Sequence, residues 1–292
     1  MKKIVILGCE NSHADAFMDC IQKKPDFSHI AVLGVYSEDA AAAKKLGEKF
    51  SVPVMASYDE AVGKVDGVVI TARHGGQHYT LAKPYLSSGV PMFIDKPITI
   101  DEDEAVAFMN DLKAHGVKAT GGSSLRHSYE VSAVKLANQL QTGGCTVGGI
   151  VRAPLKTDNP YGGFYFYSAH LVEMVLEAFG PAPEAVEVRT DSRGNRTVLF
   201  YYEGFIVTGL YTEGGNEYYI ARFSLKGSQG GYVTSTASKE WFYREFKEFA
   251  ALMDGSDPRL SRQALFASVF LLAAIDRACQ SGKREPVCYR EG

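Results

Sequence analysis

Three stretches of the chain bring together residue types that could do chemistry. The first reads Lys3-Ile4-Val5-Ile6-Leu7-Gly8-Cys9-Glu10-Asn11-Ser12-His13-Ala14. An apolar run ends in a glycine and a polar turn opens a helix, which is where a dinucleotide-binding fold keeps a G-x-G-x-x-G loop. Gly8 fills the first glycine position, while Glu10 and His13 stand in the second and third. A helix N-terminus offers unpaired N–H groups and partial positive charge to a diphosphate. Asn11 and Ser12 add side-chain donors, or cap the helix. Glu10 would repel a diphosphate unless its carboxylate turned outward, and His13 could then face the ligand. In the second stretch Thr71, Arg73, His74 and His78 follow the apolar run Gly67–Ile70, and Lys96 lies between Asp95 and Pro97 after another such run. Ligands of open α/β sheets bind beyond the carboxyl ends of the strands. Arg73 there suits a phosphate or ribose, and a partly buried Lys with a tuned pKa polarises or protonates an oxygen on which charge develops. In the third, Glu173 follows His170 by three residues on one helix face. Imidazole suits proton transfer, with Glu173 to orient it or to bind a substrate hydroxyl. Two such residues make a weak metal signature, and no metal is expected.

The elements that position these residues alternate over the first 120 positions. Ile4–Leu7, Ile30–Val35, Gly67–Ile70 and Pro91–Ile94 read as buried parallel strands. Helix-like stretches lie between them at Ala14–Lys23, Asp39–Phe50, Asp59–Val62 and Tyr79–Ser87. A further helix, Glu102–His115, starts after the cap Asp101 and stops at Gly116. This alternation predicts an open parallel sheet with helices on both faces. Beyond Gly121-Gly122 the pattern changes. Helices are expected at Tyr129–Gln141, His170–Phe179, Lys239–Met253 and Ser261–Gln280, with a strand at Val147–Arg152. The runs Ala185–Thr190, Thr197–Tyr202, Phe205–Tyr211 and Tyr218–Lys226 have only turns between them and predict an antiparallel meander. The expected division is therefore residues 1–121 and 122–292.

Bulk composition narrows the function classes. The chain has 292 residues, 46% hydrophobic and 22% charged, with a net charge of −3, an ordinary globular balance. Nothing in the charge pattern points to nucleic acid or an acidic membrane. No run of 18 consecutive apolar residues suggests a spanning helix. Lys2 and Lys3 precede an apolar stretch too short for a signal peptide, so a cytoplasmic location is expected. Five cysteines without a C-x-x-C pair argue against structural disulfides or a cysteine zinc site. Cys9, near a helix N-terminus, reads either as an activated thiol or as a small residue filling a tight turn.

Three dispersed segments together resemble the Gfo/Idh/MocA family of NAD(P)-dependent oxidoreductases. They are VVITARHGGQHYTLAKPYLSSGVPMFIDKPIT (68–99), SSLRHSYEVSAVKLANQLQTGGCTVGGI (123–150) and GGFYFYSAHLVEMVLEAFG (162–180). The first is similar to the family's strand, histidine turn, helix and strand ending in Glu-Lys-Pro, here Asp95-Lys96-Pro97. The third is similar to the start of the helix that carries the family's catalytic histidine, matched by His170. Three departures stand out: the altered glycine loop, Phe166 where many relatives have an Asp, and Asp95 for Glu.

The resemblance implies an N-terminal Rossmann domain with a doubly wound parallel sheet, followed by an α+β domain with a largely antiparallel sheet. It implies NAD or NADP as cofactor, held by Gly8, Asn11, Ser12, His13, Ser37, Thr71, Arg73, His74, His78 and Asp95, and catalysis by Lys96, His170 and Glu173. The family's ribose-binding acid falls on Ser37, which tolerates a 2′-phosphate better but has no following Arg to bind it, so the two cofactors stay undecided. The expected reaction is hydride transfer to or from a sugar, polyol or related cyclic alcohol. The alternatives are a regulatory binding protein on the same scaffold, motivated by Glu10 and Phe166, and NAD-assisted lyase or hydrolase chemistry. The expected partners are a small-molecule substrate and further copies of the chain. Aromatic or β-branched residues on both faces of the meander, such as Phe200, Tyr202, Tyr211, Tyr218 and Phe223, predict a homo-oligomer through that sheet.

Overall fold

The computed structural model describes residues 1–234 and 238–292. The chain forms two units. One comprises Met1–Gly122, Phe242–Leu265 and Glu291–Gly292, the other Ser123–Trp241 and Phe266–Arg290.

The first unit is built on a five-stranded parallel sheet. Its strands are β1 (Lys2–Leu7), β2 (Ile30–Tyr36), β3 (Gly67–Ile70), β4 (Met92–Asp95) and β5 (Ala119–Gly122), in the order β2-β1-β3-β4-β5. Ile4 through Leu7 and Val68 through Ile70 are fully buried, as strands covered on both faces require. The helices are α1 (Ser12–Lys23), α2 (Ala40–Phe50), the short α3 (His78–Ala82) and α4 (Glu102–Ala114). Side-chain caps fix where three of them begin: Asn11 for α1, Asp39 for α2 and the expected Asp101 for α4. Residues 59–62, expected as a helix, are consecutive turns instead. Ser57 bonds to Asp59, and Val62 and Lys64 donate to carbonyls three residues back, up to Gly63 with its positive φ. The later helix α7 (Ser238–Met253) contributes Phe246, Phe249, Ala250 and Met253 to the same core as Ile4, Phe17, Val69 and Phe93.

The second unit centres on a seven-stranded mixed sheet, mostly antiparallel. Its strands are β6 (Thr146–Leu155), β7 (Ala185–Thr190), β8 (Arg196–Tyr202), β9 (Phe205–Glu213), β10 (Tyr218–Ser224), β11 (Gly227–Val233) and β12 (Glu285–Pro286). The order is β11-β10-β6-β9-β8-β7-β12. β7, β8 and β9 form the expected antiparallel meander, but β10 does not follow β9 in it. The ten-residue β6 lies between β9 and β10, parallel to the first and antiparallel to the second, so the turn after β9 passes over the end of β6. The strand β11, rich in glycine and polar residues, had no hydrophobic alternation to announce it. Two further helices of this unit are α5 (Tyr129–Gln139) and α6 (Phe164–Phe179). The face carrying Gly149, Val151, Val207, Gly209 and Phe200 packs under α6, with Phe179 and Leu171 close over Gly149 and Gly209. The opposite face carries Ile150, Ile206, Phe223 and Tyr232, which remain 37–59% exposed. The helix α8 (Arg262–Ser281) is long and apolar enough to cross a membrane by length and composition alone, but 67% of that window is buried in the protein, as in a core helix.

Candidate active site

In the first unit the candidates gather at the carboxyl ends of the strands. Gly8 ends β1 at φ +86°, and a Cβ there would lie 2.2 Å from the Ala72 amide nitrogen, so the loop is pressed against the end of β3. Thr71 Oγ1 donates to the Gly8 carbonyl and locks that approach. Asn11 Oδ1 accepts from His13 N–H, while Ser12 is exposed in the first turn of α1. The other first-turn amides have no helical acceptor, a donor set that fits a diphosphate.

Asn11 caps α1, one of the roles expected of it, whereas His13 and Glu10 take protein partners. His13 is turned inward, its Nδ1 2.8 Å from Asp95 Oδ2 and its ring edge-on to Phe242. Asn11 Nδ2 donates to the same oxygen at 2.6 Å, and Lys96 N–H donates to Asp95 Oδ1 at 2.6 Å. His13 and Asn11 therefore brace the end of β4 rather than face a ligand. Burial pulls the Asp95 carboxyl upward, but His13, Lys96 and His78 outweigh it and hold it below the usual carboxylate range. Glu10 points neither at the amides of α1 nor outward. Its Oε2 accepts from Ser37 Oγ at 2.6 Å and its Oε1 from Arg73 N–H at 2.9 Å. Cys9 is no activated thiol: burial and then the Glu10 charge push it up to about 12.

Lys96 is only 4% exposed. Burial lowers its pKa, opposed by the charges of Asp95 and the buried Glu245 and assisted by Arg73. The Lys96-Pro97 bond is cis. His78 is fully buried, Nε2 2.7 Å from the Ala72 carbonyl and Nδ1 3.2 Å from that of Ile98. It ties the end of β3 to the segment after Lys96, so a direct cofactor contact is replaced by a positioning one. His74 caps the turn at Gly76, accepting at 3.1 Å.

In the second unit His170 lies on the first half of α6. Ser123 Oγ is 2.7 Å from His170 Nδ1, and the rings of Tyr167 and Tyr218 lie 5.8 and 5.7 Å away. Glu173 does not orient His170. It is fully buried and paired with Arg126, which also reaches Glu177 at 3.1 Å, and Lys135 pairs with Glu177 at 2.6 Å. The buried Arg126 guanidinium is thus paired with two carboxylates, Glu173 and Glu177. Phe166, where an Asp was absent, packs between Tyr161 and Tyr167, each ring 5.2 Å away. Sequence reasoning gave Ser123 and Arg126 no role, although both lie in the family-like segment 123–150. Among the described residues no group of three His, Cys, Asp or Glu side chains could hold a metal ion.

Comparison with known proteins follows the same lines. Residues 2–123 match the model of the Gfo/Idh/MocA oxidoreductase family, NAD-binding Rossmann fold. No curated protein matches the chain in sequence. Among solved structures, the chain is similar to myo-inositol dehydrogenase from Lactobacillus casei in complex with NAD(H) and myo-inositol, with a TM-score of 0.84, 14% identity, and coverage of 100% of this chain and 98% of that one. The apo scyllo-inositol dehydrogenase of the same organism gives 0.84 at 15% identity and 98% coverage of both. The WlbA dehydrogenase of Chromobacterium violaceum, in complex with NADH and UDP-GlcNAcA, gives 0.81 at 16% identity, covering 99% and 96%. At these identities the likeness concerns the fold.

Proposed function

We propose, from the match of residues 2–123 to the Gfo/Idh/MocA oxidoreductase family model, that the protein is an NAD(P)-dependent dehydrogenase acting on a CH–OH group of a sugar, polyol or cyclitol. The observation that carries this reading is Lys96: a lysine 4% exposed at a strand end, its pKa lowered by burial, on a backbone braced by Asp95, Asn11 and His13. The bound nicotinamide would supply the hydride acceptor or donor. The first-turn amides of α1 and the loop at Gly8 and Ser12 would hold the diphosphate. Lys96 places its charge beside the reacting oxygen and stabilises the negative charge that develops there. In the second unit His170, its Nδ1 within hydrogen-bond reach of Ser123 Oγ, is the candidate for proton exchange. Glu173 and Arg126 hold α6 and the turn after β5 in place.

The inositol and nucleotide-sugar ligands named for the structural neighbours support the substrate class. The reading includes a homo-oligomer through the exposed sheet face of Ile150, Ile206, Phe223 and Tyr232. The test is turnover of inositols, sugars and nucleotide sugars with NAD⁺ and NADP⁺. Wild type is expected to reduce a dinucleotide with at least one of them, and Lys96→Met to lose about 100-fold or more in kcat, the scale of a lost electrostatic group. Equal turnover by both proteins would refute the assignment.

A further inference from the structure

We propose that Glu10 is this chain's adenosine-ribose acceptor and selects NAD(H) over NADP(H); the inference rests on the dinucleotide reading above. Where such folds choose NAD, an acid about 20 residues beyond the glycine loop accepts from the ribose hydroxyls. Here that position is Ser37, whose single hydroxyl cannot receive a vicinal diol as a carboxylate does. The structure provides the carboxylate from the loop instead. Glu10 Oε2 accepts from Ser37 Oγ at 2.6 Å and Oε1 from Arg73 N–H at 2.9 Å, so one carboxylate bridges the ends of β2 and β3, the strands on either side of β1. Each oxygen has capacity for a second donor, and the two together match two neighbouring hydroxyls. Because protein donors already fix the group, little ordering remains when a ligand arrives.

The surroundings act in the same direction. Glu38, accepting from Gln77 Nε2 at 2.7 Å, and Asp39, capping α2, place two more carboxylates beside Ser37. Arg73 meets Glu10 through its backbone N–H, and its charge also acts on Lys96. A 2′-phosphate beside Ser37 would therefore meet the negative charges of Glu10 and Glu38.

Titration calorimetry with NADH and with NADPH on wild type, Glu10→Gln and Glu10→Ala tests this, with circular dichroism to verify folding. Wild type is expected to bind NADH at least about tenfold tighter than NADPH. Both substitutions should weaken NADH about tenfold or more, leave NADPH unchanged or tighter, and so collapse the ratio, as loss of a charge-assisted hydrogen bond implies. An unchanged ratio, or a wild type that prefers NADPH, would overturn the assignment. If Glu10→Ala tightens both dinucleotides, Glu10 is an obstacle and the proposal falls while the dinucleotide reading stands. If no variant binds either dinucleotide, both fall together.

Discussion

At the scale of single residues, the working groups are buried and specified by neighbours far away in sequence. Ser123 is the clearest positioning residue: its hydroxyl fixes one nitrogen of His170, 47 positions on. Ser123→Ala is expected to lower kcat about tenfold, the low end of what proton transfer contributes, and to change the acidic limb of the rate profile, with KM little altered. A residue that merely supported the fold would leave the pH profile in place. Lys96 governs the opposite limb. The charged amine is the supporting form, so activity falls as pH rises through its pKa in the folded enzyme. Burial lowers that pKa, so the alkaline limb of kcat/KM should begin below the ordinary lysine value of 10.5. Lys96→Met should remove the limb, and a wild-type profile flat up to the ordinary value would contradict this. The sequence singled out Lys96 and His170 through flanking residues that resemble the family's motifs. It could not show where Glu10, His13 or Glu173 point. Glu10 turns toward donors 27 and 63 positions away, and Glu173 toward an arginine 47 positions away. Such choices are made by tertiary neighbours, not by residue type.

At the scale of elements, strands and helices of the parallel sheet could be read from apolar runs and caps, since both are local. What an element packs against is not local. The aromatic residues of α7 announce an amphipathic helix, but nothing in them says that Phe249 and Met253 cover Gly67 of β3. A Cβ on Gly67 would lie 2.8 Å from both side chains. Gly67→Ala should therefore destabilise the protein by about 1–3 kcal/mol through overpacking, measured by denaturant unfolding. No loss of stability would mean that α7 does not sit on this sheet. The insertion of β6 between β9 and β10 is a second case. Four strands with short turns look like a meander, and only the full ten-residue length of β6 lets it pair along both neighbours.

At the scale of the whole molecule, the outer face of the mixed sheet leaves four large apolar side chains exposed in one band, Tyr232, Phe223, Ile150 and Ile206. Soluble monomers rarely leave such a band uncovered. The proposed homo-oligomer predicts that wild type sediments above its 31.8 kDa chain mass, and that Ile150→Lys with Tyr232→Glu shifts it toward monomer while secondary structure is retained. A wild-type monomer at micromolar concentration would remove this part of the proposal.

The central claim is that a hydride leaves a carbinol carbon of the substrate for a nicotinamide held by the first unit. It is tested most directly with a substrate carrying deuterium on its CH–OH carbons, by mass spectrometry of the recovered dinucleotide. Reduced cofactor carrying one deuterium is expected from wild type, and from Lys96→Met at about a hundredth of that rate or less. Reduced cofactor without deuterium, or equal transfer by Lys96→Met, would contradict it.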